Sequence, residues 1–174
     1  MTRSFDRSDA DLRPVEIEPG FVSSADGSAL ISVGGTRVIC TASVSSRVPK
    51  WMEVNGKGWV TAEYSMLPAS TGDRKPRDIS KGKLDGRSVE IQRLIGRSLR
   101  VGVDFEALGE RSVYVDCDVL EADGGTRCAS ITGGYVALYL ALAELVKSGE
   151  LKKMPITTAI AAVSVGMVGG RAVC

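Results

Sequence analysis

The segment Tyr135 to Lys147 reads as a helix with almost no polar face, and that constrains the fold more than any other stretch. A helix apolar on all sides must be buried between other layers rather than laid on a surface. Gly149 stands where a left-handed residue would stop it. The longest apolar run within it, Tyr135 to Val146, is too short to span a bilayer, so a soluble core helix is expected. What could cover it is written upstream. Ser28 to Val33 and Thr36 to Val44 alternate as strands around Gly34-Gly35, a two-residue hairpin turn. Trp59 to Tyr64 and Ser112 to Leu120 read as further strands, and Ile156 to Val168 as a buried strand or strand pair. Between them Asp85 offers an N-cap for a helix ending near Val101. Strands first and alternating elements later predict an α+β or mixed α/β sandwich in one domain, residues 1–174.

Composition removes whole classes of chemistry. The chain has no histidine, which excludes Ser-His-Asp and Cys-His nucleophile systems and imidazole bases. Its four cysteines, at 40, 117, 128 and 174, show no CxxC spacing, so neither a zinc ribbon nor a disulfide framework is expected. Residues 1–13 are polar and contain no signal-peptide core. Reduced thiols and a cytoplasmic location follow as expectations. The net charge is +1, so any nucleic-acid site must come from local clustering of cations.

The tetrad Gly-Gly-Thr-Arg occurs twice, at 34–37 and 124–127. The first copy lies between strands and reads as a hairpin turn. The second lies between a strand and a helix entry, where backbone N–H groups converge and the helix dipole favours an anion. Thr126 adds a hydroxyl and Arg127 a planar fork suited to phosphate oxygens. A plain strand-to-helix turn explains the same letters equally well. On a helical wheel Arg87 falls with Ile91, Leu94, Ile95 and Ser98 on the inward side, in a first turn where a cation is disfavoured. An arginine there needs an anionic partner, either a carboxylate or a bound phosphate. Arg93, Arg97 and Arg100 share the opposite sector as an external ridge. The loop after Pro68 adds Arg74, Lys75, Arg77, Lys81 and Lys83 against two acids, which is either a solvated loop or a surface that follows a nucleic-acid backbone. Asp116 and Asp118 share one strand face, open to solvent, to arginine pairing or to magnesium.

Three blocks carry a resemblance: Gly58-Trp-Val-Thr-Ala-Glu-Tyr-Ser-Met-Leu-Pro68, the run from Gly86 to Leu99, and Asp116 to Gly134. With Asp11-Leu-Arg-Pro14 and Val38 to Val44 they resemble the ribonuclease PH family, phosphorolytic 3′-to-5′ exoribonucleases. The resemblance implies a βαβα sandwich of mixed sheets with packed helices, assembled as a hexameric ring in the cytoplasm without membrane contact. It implies inorganic phosphate as co-substrate and processing of transfer RNA precursors, with ribosomal RNA as a further substrate class. Arg87, Gly125, Thr126 and Arg127 match the family's phosphate-binding positions, with Arg87 and Arg127 catalytic. Arg74, Lys75, Arg77, Arg93 and Arg97 match RNA-contacting and ring-interface positions. By the resemblance, the family continues past Cys174 into a strand and loop bearing paired aspartates associated with metal and catalysis, with magnesium expected, and then a C-terminal helix. No metal ligand is therefore expected in this chain, and a non-catalytic RNA-binding scaffold is the alternative reading.

Overall fold

A computed structural model describes residues 3–174, with the side chain of Lys81 outside the described part. Five strands form one mixed sheet: β1 (Val15–Pro19), β2 (Gly27–Val33), β3 (Thr36–Ser45), β4 (Trp59–Met66) and β5 (Ser112–Glu121). Their spatial order is β1-β2-β3-β5-β4. β5 runs antiparallel to β3 and parallel to β4. Parallel pairing requires a long crossover, and α1 (Gly86–Val101) with the short α2 (Phe105–Leu108) supplies it.

Alternation along the strands sorts the sheet into two faces. Ala29, Cys40, Cys117 and Tyr64 align across four strands and are all buried. The same face carries Ile31, Val38, Val60, Val113, Val115 and Val119, buried beneath α1 and α3 (Thr126–Lys147). α1 presents Ser88, Ile91, Ile95 and Leu99 to this core, a spacing of three or four residues that keeps one stripe inward. Burying each isoleucine or leucine contributes about 1.5–3 kcal/mol.

α3 begins nine residues earlier than the apolar run suggests. Its first part, Thr126 to Gly134, is rich in small residues because it lies close on the sheet. A Cβ on Gly133 would fall 2.7 Å from Ile31 and 2.8 Å from Cys40 Sγ. At 22 residues α3 is long and apolar enough to cross a membrane by length and composition, contrary to the expectation from the shorter run. Half of that apolar window is buried inside the fold. The mixed sheet with α1 and α3 packed on one face is the expected α+β architecture. The far side of α3 is less covered than a helix apolar all round suggests, with Tyr139 43% exposed there.

Residues 156–168 are not a buried strand. A single antiparallel bridge joins Ile156 to Val103, and only Gly166–Val168 (β6) pairs, with Arg171–Val173 (β7). Val163, Val165, Met167 and Val168 are exposed. Without a neighbouring strand the β-branched residues have no ladder to join, and propensity alone does not make a strand.

Candidate anion site and its buttress

α3 starts on Gly124-Gly125, both with positive φ, and Gly125 is its N-cap in the left-handed region. No side chain caps this helix. A helix N-terminus leaves its first N–H groups without intrahelical partners, so the α3 entry offers donors and positive potential to an anion. Gly125 is favoured by its φ of 71°, and a Cβ there would also push against the Arg13 guanidinium.

The turn is held by residues far away in sequence. Thr36, fully buried, places its hydroxyl 2.7 Å from Asp123 Oδ1 and 2.6 Å from the Gly124 carbonyl. That hydroxyl also accepts from the Asp123 amide at 3.1 Å. The Gly35 amide donates to Asp123 Oδ2 at 3.0 Å, and Arg13 pairs with Asp123 and donates to the Gly124 carbonyl. The hairpin turn of the first tetrad thus clamps the loop of the second. Burial opposes ionisation of Asp123, but Thr36, Gly35 and Arg13 outweigh it and hold its pKa below the usual value.

Thr126 is buried, and its hydroxyl accepts from Tyr64 at 2.9 Å. This bond fixes Thr126 Oγ1 on β4 and leaves the threonine proton free to donate. Arg127, next in the first turn, meets Glu90 of α1 at 2.5 Å. The Arg127 hydrogen bond pulls the Glu90 carboxyl below its ordinary range against a smaller opposing effect of burial, and the charges of Arg127 and Arg87 add to the lowering. Arg87 stands three residues before Glu90 on α1, within one turn of the Arg127 partner.

Its exposure differs from the expectation. Arg87 is exposed, and Ser88 takes the inward position in the first turn. The wheel angle that groups Arg87 with Ile91 holds only where the sheet lies beneath the helix. No ion pair to Arg87 forms within 4 Å among the described residues.

The basic loop is partly committed to the fold. Lys75 is paired with Asp85 at 3.0 Å, and Asp85 caps α1. Arg74 and Arg77 are exposed, as are Arg93 and Arg97 on α1. Arg100 leaves the predicted ridge: it lies over the Trp59 ring at 4.6 Å and donates to the Val60 carbonyl. Asp116 and Asp118 do share the outer sheet face, opposite the helices, with Glu63 beside Asp116. No arginine pairs with them among the described residues. Burial, then the Glu63 charge, raises both pKa values, with Asp118 adding to the shift of Asp116. Beside the anion turn, the Asp123 carboxylate is engaged by Arg13, Thr36 and Gly35, and no group of three metal-ligating residues exists among the described residues. The residues present do not fit a magnesium ion there.

A cavity of about 670 Å³ opens on the other flank of the turn, with Arg13, Gly124, Gly125, Cys128 and Thr132 in its wall. Arg87, Thr126 and Arg127 do not line it. Sequence reasoning missed Arg13, Thr36, Tyr64, Glu90 and Asp123 as parts of the site. Only Asp123, set directly before two glycines, carried a local signal.

Residues 11–144 match the model of the 3′ exoribonuclease family, domain 1. Ribonuclease PH of Dehalococcoides mccartyi is 60% identical over 173 residues, which is 99% of this chain and 72% of that protein. The chain belongs to the ribonuclease PH family. The fold of this family member is also that of an Archaeoglobus fulgidus exosome structure with RNA bound to the active site, at a TM-score of 0.78 and 22% identity, covering 98% of this chain and 69% of that one. Rice Rrp46 has a TM-score of 0.67 at 18% identity over 80% of this chain, which spans 61% of the rice chain.

Proposed function

We propose that this family member is a phosphate-dependent 3′-to-5′ exoribonuclease acting on transfer RNA precursors. The observation that carries the reading is the uncapped, glycine-led entry of α3 with Thr126 and Arg127 in its first turn and Arg87 within one turn of Glu90 on α1. Inorganic phosphate held there is the nucleophile. One of its oxygens attacks the phosphorus of the terminal phosphodiester, and the bond to the 3′ oxygen of the preceding nucleotide breaks. The products are a nucleoside diphosphate and an RNA shorter by one residue with a free 3′ hydroxyl. Arg127 and Arg87 offset charge on the incoming phosphate and on the transferring group, where preorganised cations count most. Glu90 holds Arg127 in place before phosphate arrives. Magnesium, expected from the family, would neutralise phosphate charge, and it has no ligand set among the described residues. Exposed Arg74, Arg77, Arg93 and Arg97 supply cations to the RNA backbone, while Lys75 acts through Asp85. A hexameric ring and a cytoplasmic location complete the proposal, supported by the family and by four free thiols. The scaffold alternative has no observation in its favour.

The test is incubation with a 3′-extended transfer RNA and phosphate, scored for nucleoside diphosphates. Product that depends on phosphate and is lost in Arg127→Ala supports the reading. Nucleoside monophosphates, or product without phosphate, would overturn it.

A further inference from the structure

The two tryptophans of the chain, Trp51 and Trp59, lie together at the end of α1 remote from the anion turn. Trp59 opens β4, with the Arg100 guanidinium over its ring and Phe105 at 5.8 Å. Arg100 is itself fixed by its 3.0 Å bond to the Val60 carbonyl. Trp51, in the loop between β3 and β4, packs edge to face on Trp59 at 4.8 Å, and it remains 60% exposed. An indole anchored on a rigid base yet left largely in water is unusual, because burying it would be favourable.

Its surroundings select the occupant. Arg47 and Lys50 are exposed in the same loop, and Arg93 and Arg97 are exposed along α1. The acids on the neighbouring chain are Glu53 and Glu110, both exposed, Glu106, paired with Lys57 at 2.9 Å, and Asp104, paired with Lys153 at 3.6 Å. Aromatic surface flanked by cations is what single-stranded nucleic acid binds, through base stacking and backbone charge together. A second copy of this chain would bring the same cations against themselves.

Position fixes where along the RNA this happens. Arg87 and Arg100 occupy the first and last turns of α1, so they are ~20 Å apart at about 1.5 Å per residue. A stacked strand covers that span in about six nucleotides at roughly 3.4 Å each.

Building on the exoribonuclease reading, we propose that Trp51, seated on Trp59 and Arg100, is a stacking platform for a base about six nucleotides upstream of the RNA 3′ end. The platform sorts substrates by length: RNA long enough to reach it is retained, and RNA trimmed short of it is released.

Because both tryptophans belong to the patch, the intrinsic emission of the whole chain reports on it. Titration with single-stranded RNA of about twelve nucleotides, without phosphate, should quench that emission. Inorganic polyphosphate, which has charge but no bases, should not. Trp51→Ala should weaken binding of the longer RNA by about 5- to 150-fold, the range for stacking one base. It should leave an RNA of about four nucleotides unaffected, and Trp51→Phe should retain most of the affinity. Equal affinity of Trp51→Ala and wild type for the longer RNA, or equal quenching by polyphosphate, overturns the platform. A fall in solution mass on Trp51→Ala with RNA affinity unchanged would overturn it too, and would assign the patch to contact between copies. Arg127→Ala separates the two readings. It should abolish phosphorolysis while keeping Trp51-dependent quenching. Quenching by RNA in a wild-type chain that makes no nucleoside diphosphate would sink the enzymatic reading and leave the platform standing.

Discussion

Thr36→Val tests whether the first glycine tetrad holds the second. The substitution keeps the branched shape and removes one hydroxyl at a site with no solvent exposure. That hydroxyl donates toward Asp123 Oδ1 or the Gly124 carbonyl and accepts from the Asp123 amide. Water cannot enter to replace it at Thr36, although it can reach the Asp123 carboxylate, whose side chain is 44% exposed. Losing these two hydrogen bonds, with water able to take over at the Asp123 carboxylate, costs about 1–2 kcal/mol in total. For a chain of this size each kcal/mol lowers Tm by about 2–4 °C, so a fall of about 2–8 °C is expected. The functional effect should be larger than the stability effect, because the released loop is the entry of α3. A displacement of about 1 Å at a reacting group costs on the order of 100-fold in rate, and the KM for phosphate should rise before RNA affinity changes. Thermal melting and phosphorolysis at varied phosphate concentration measure both. A Thr36→Val chain with wild-type Tm and wild-type phosphate dependence would refute the buttress.

Gly27→Ala should destabilise by about 3 kcal/mol or more, since its Cβ would fall 2.2 Å from the Ala137 carbonyl and 2.4 Å from the Ala141 amide, both backbone; denaturant titration reads this directly. Neutralising Arg74 and Arg77 should flatten the salt dependence of RNA binding by about 0.7 in slope for each lost contact, whereas Lys75→Gln should leave the slope alone and loosen the loop at Asp85. Asp123 and Glu90 both have folded pKa values below their ordinary 3.8 and 4.5. Each therefore contributes stability that is present above its ordinary pKa and is lost as pH falls through its lowered folded value. Melting between pH 6 and 2, values chosen to bracket the ordinary carboxylate range, should show that loss, and Asp123→Asn should reduce it.

Elements with complete local signals were legible in the sequence. The hairpin 28–44 has alternation and a glycine turn, and α1 has an N-cap, a stripe and a terminal glycine. The start of α3 was hidden because close packing on Ile31 and Cys40 demands small residues, which erases the apolar period that marks a helix. The segment 156–168 was misread because β-branched residues signal a strand only when a neighbour is there to pair. In the site, Arg127 and the glycine turn were readable from position. Tyr64, Thr36 and Arg13 were not, since their roles depend on contacts spanning 62, 87 and 110 residues.

The central place of β5 gives the site a kinetic character. β2 and β3 are joined by a two-residue turn and can zip locally, but β5 must insert between β3 and β4 from far along the chain. Such non-local pairing is slow, because loop closure precedes any reward from contacts. The anion turn follows β5 directly and is clamped by the β2–β3 turn, so it exists only once that insertion is complete. A ligand that needs finished structure stabilises the native state alone. Phosphate should accordingly slow unfolding while leaving the rate of folding unchanged, so the co-substrate protects the finished enzyme without helping to make it.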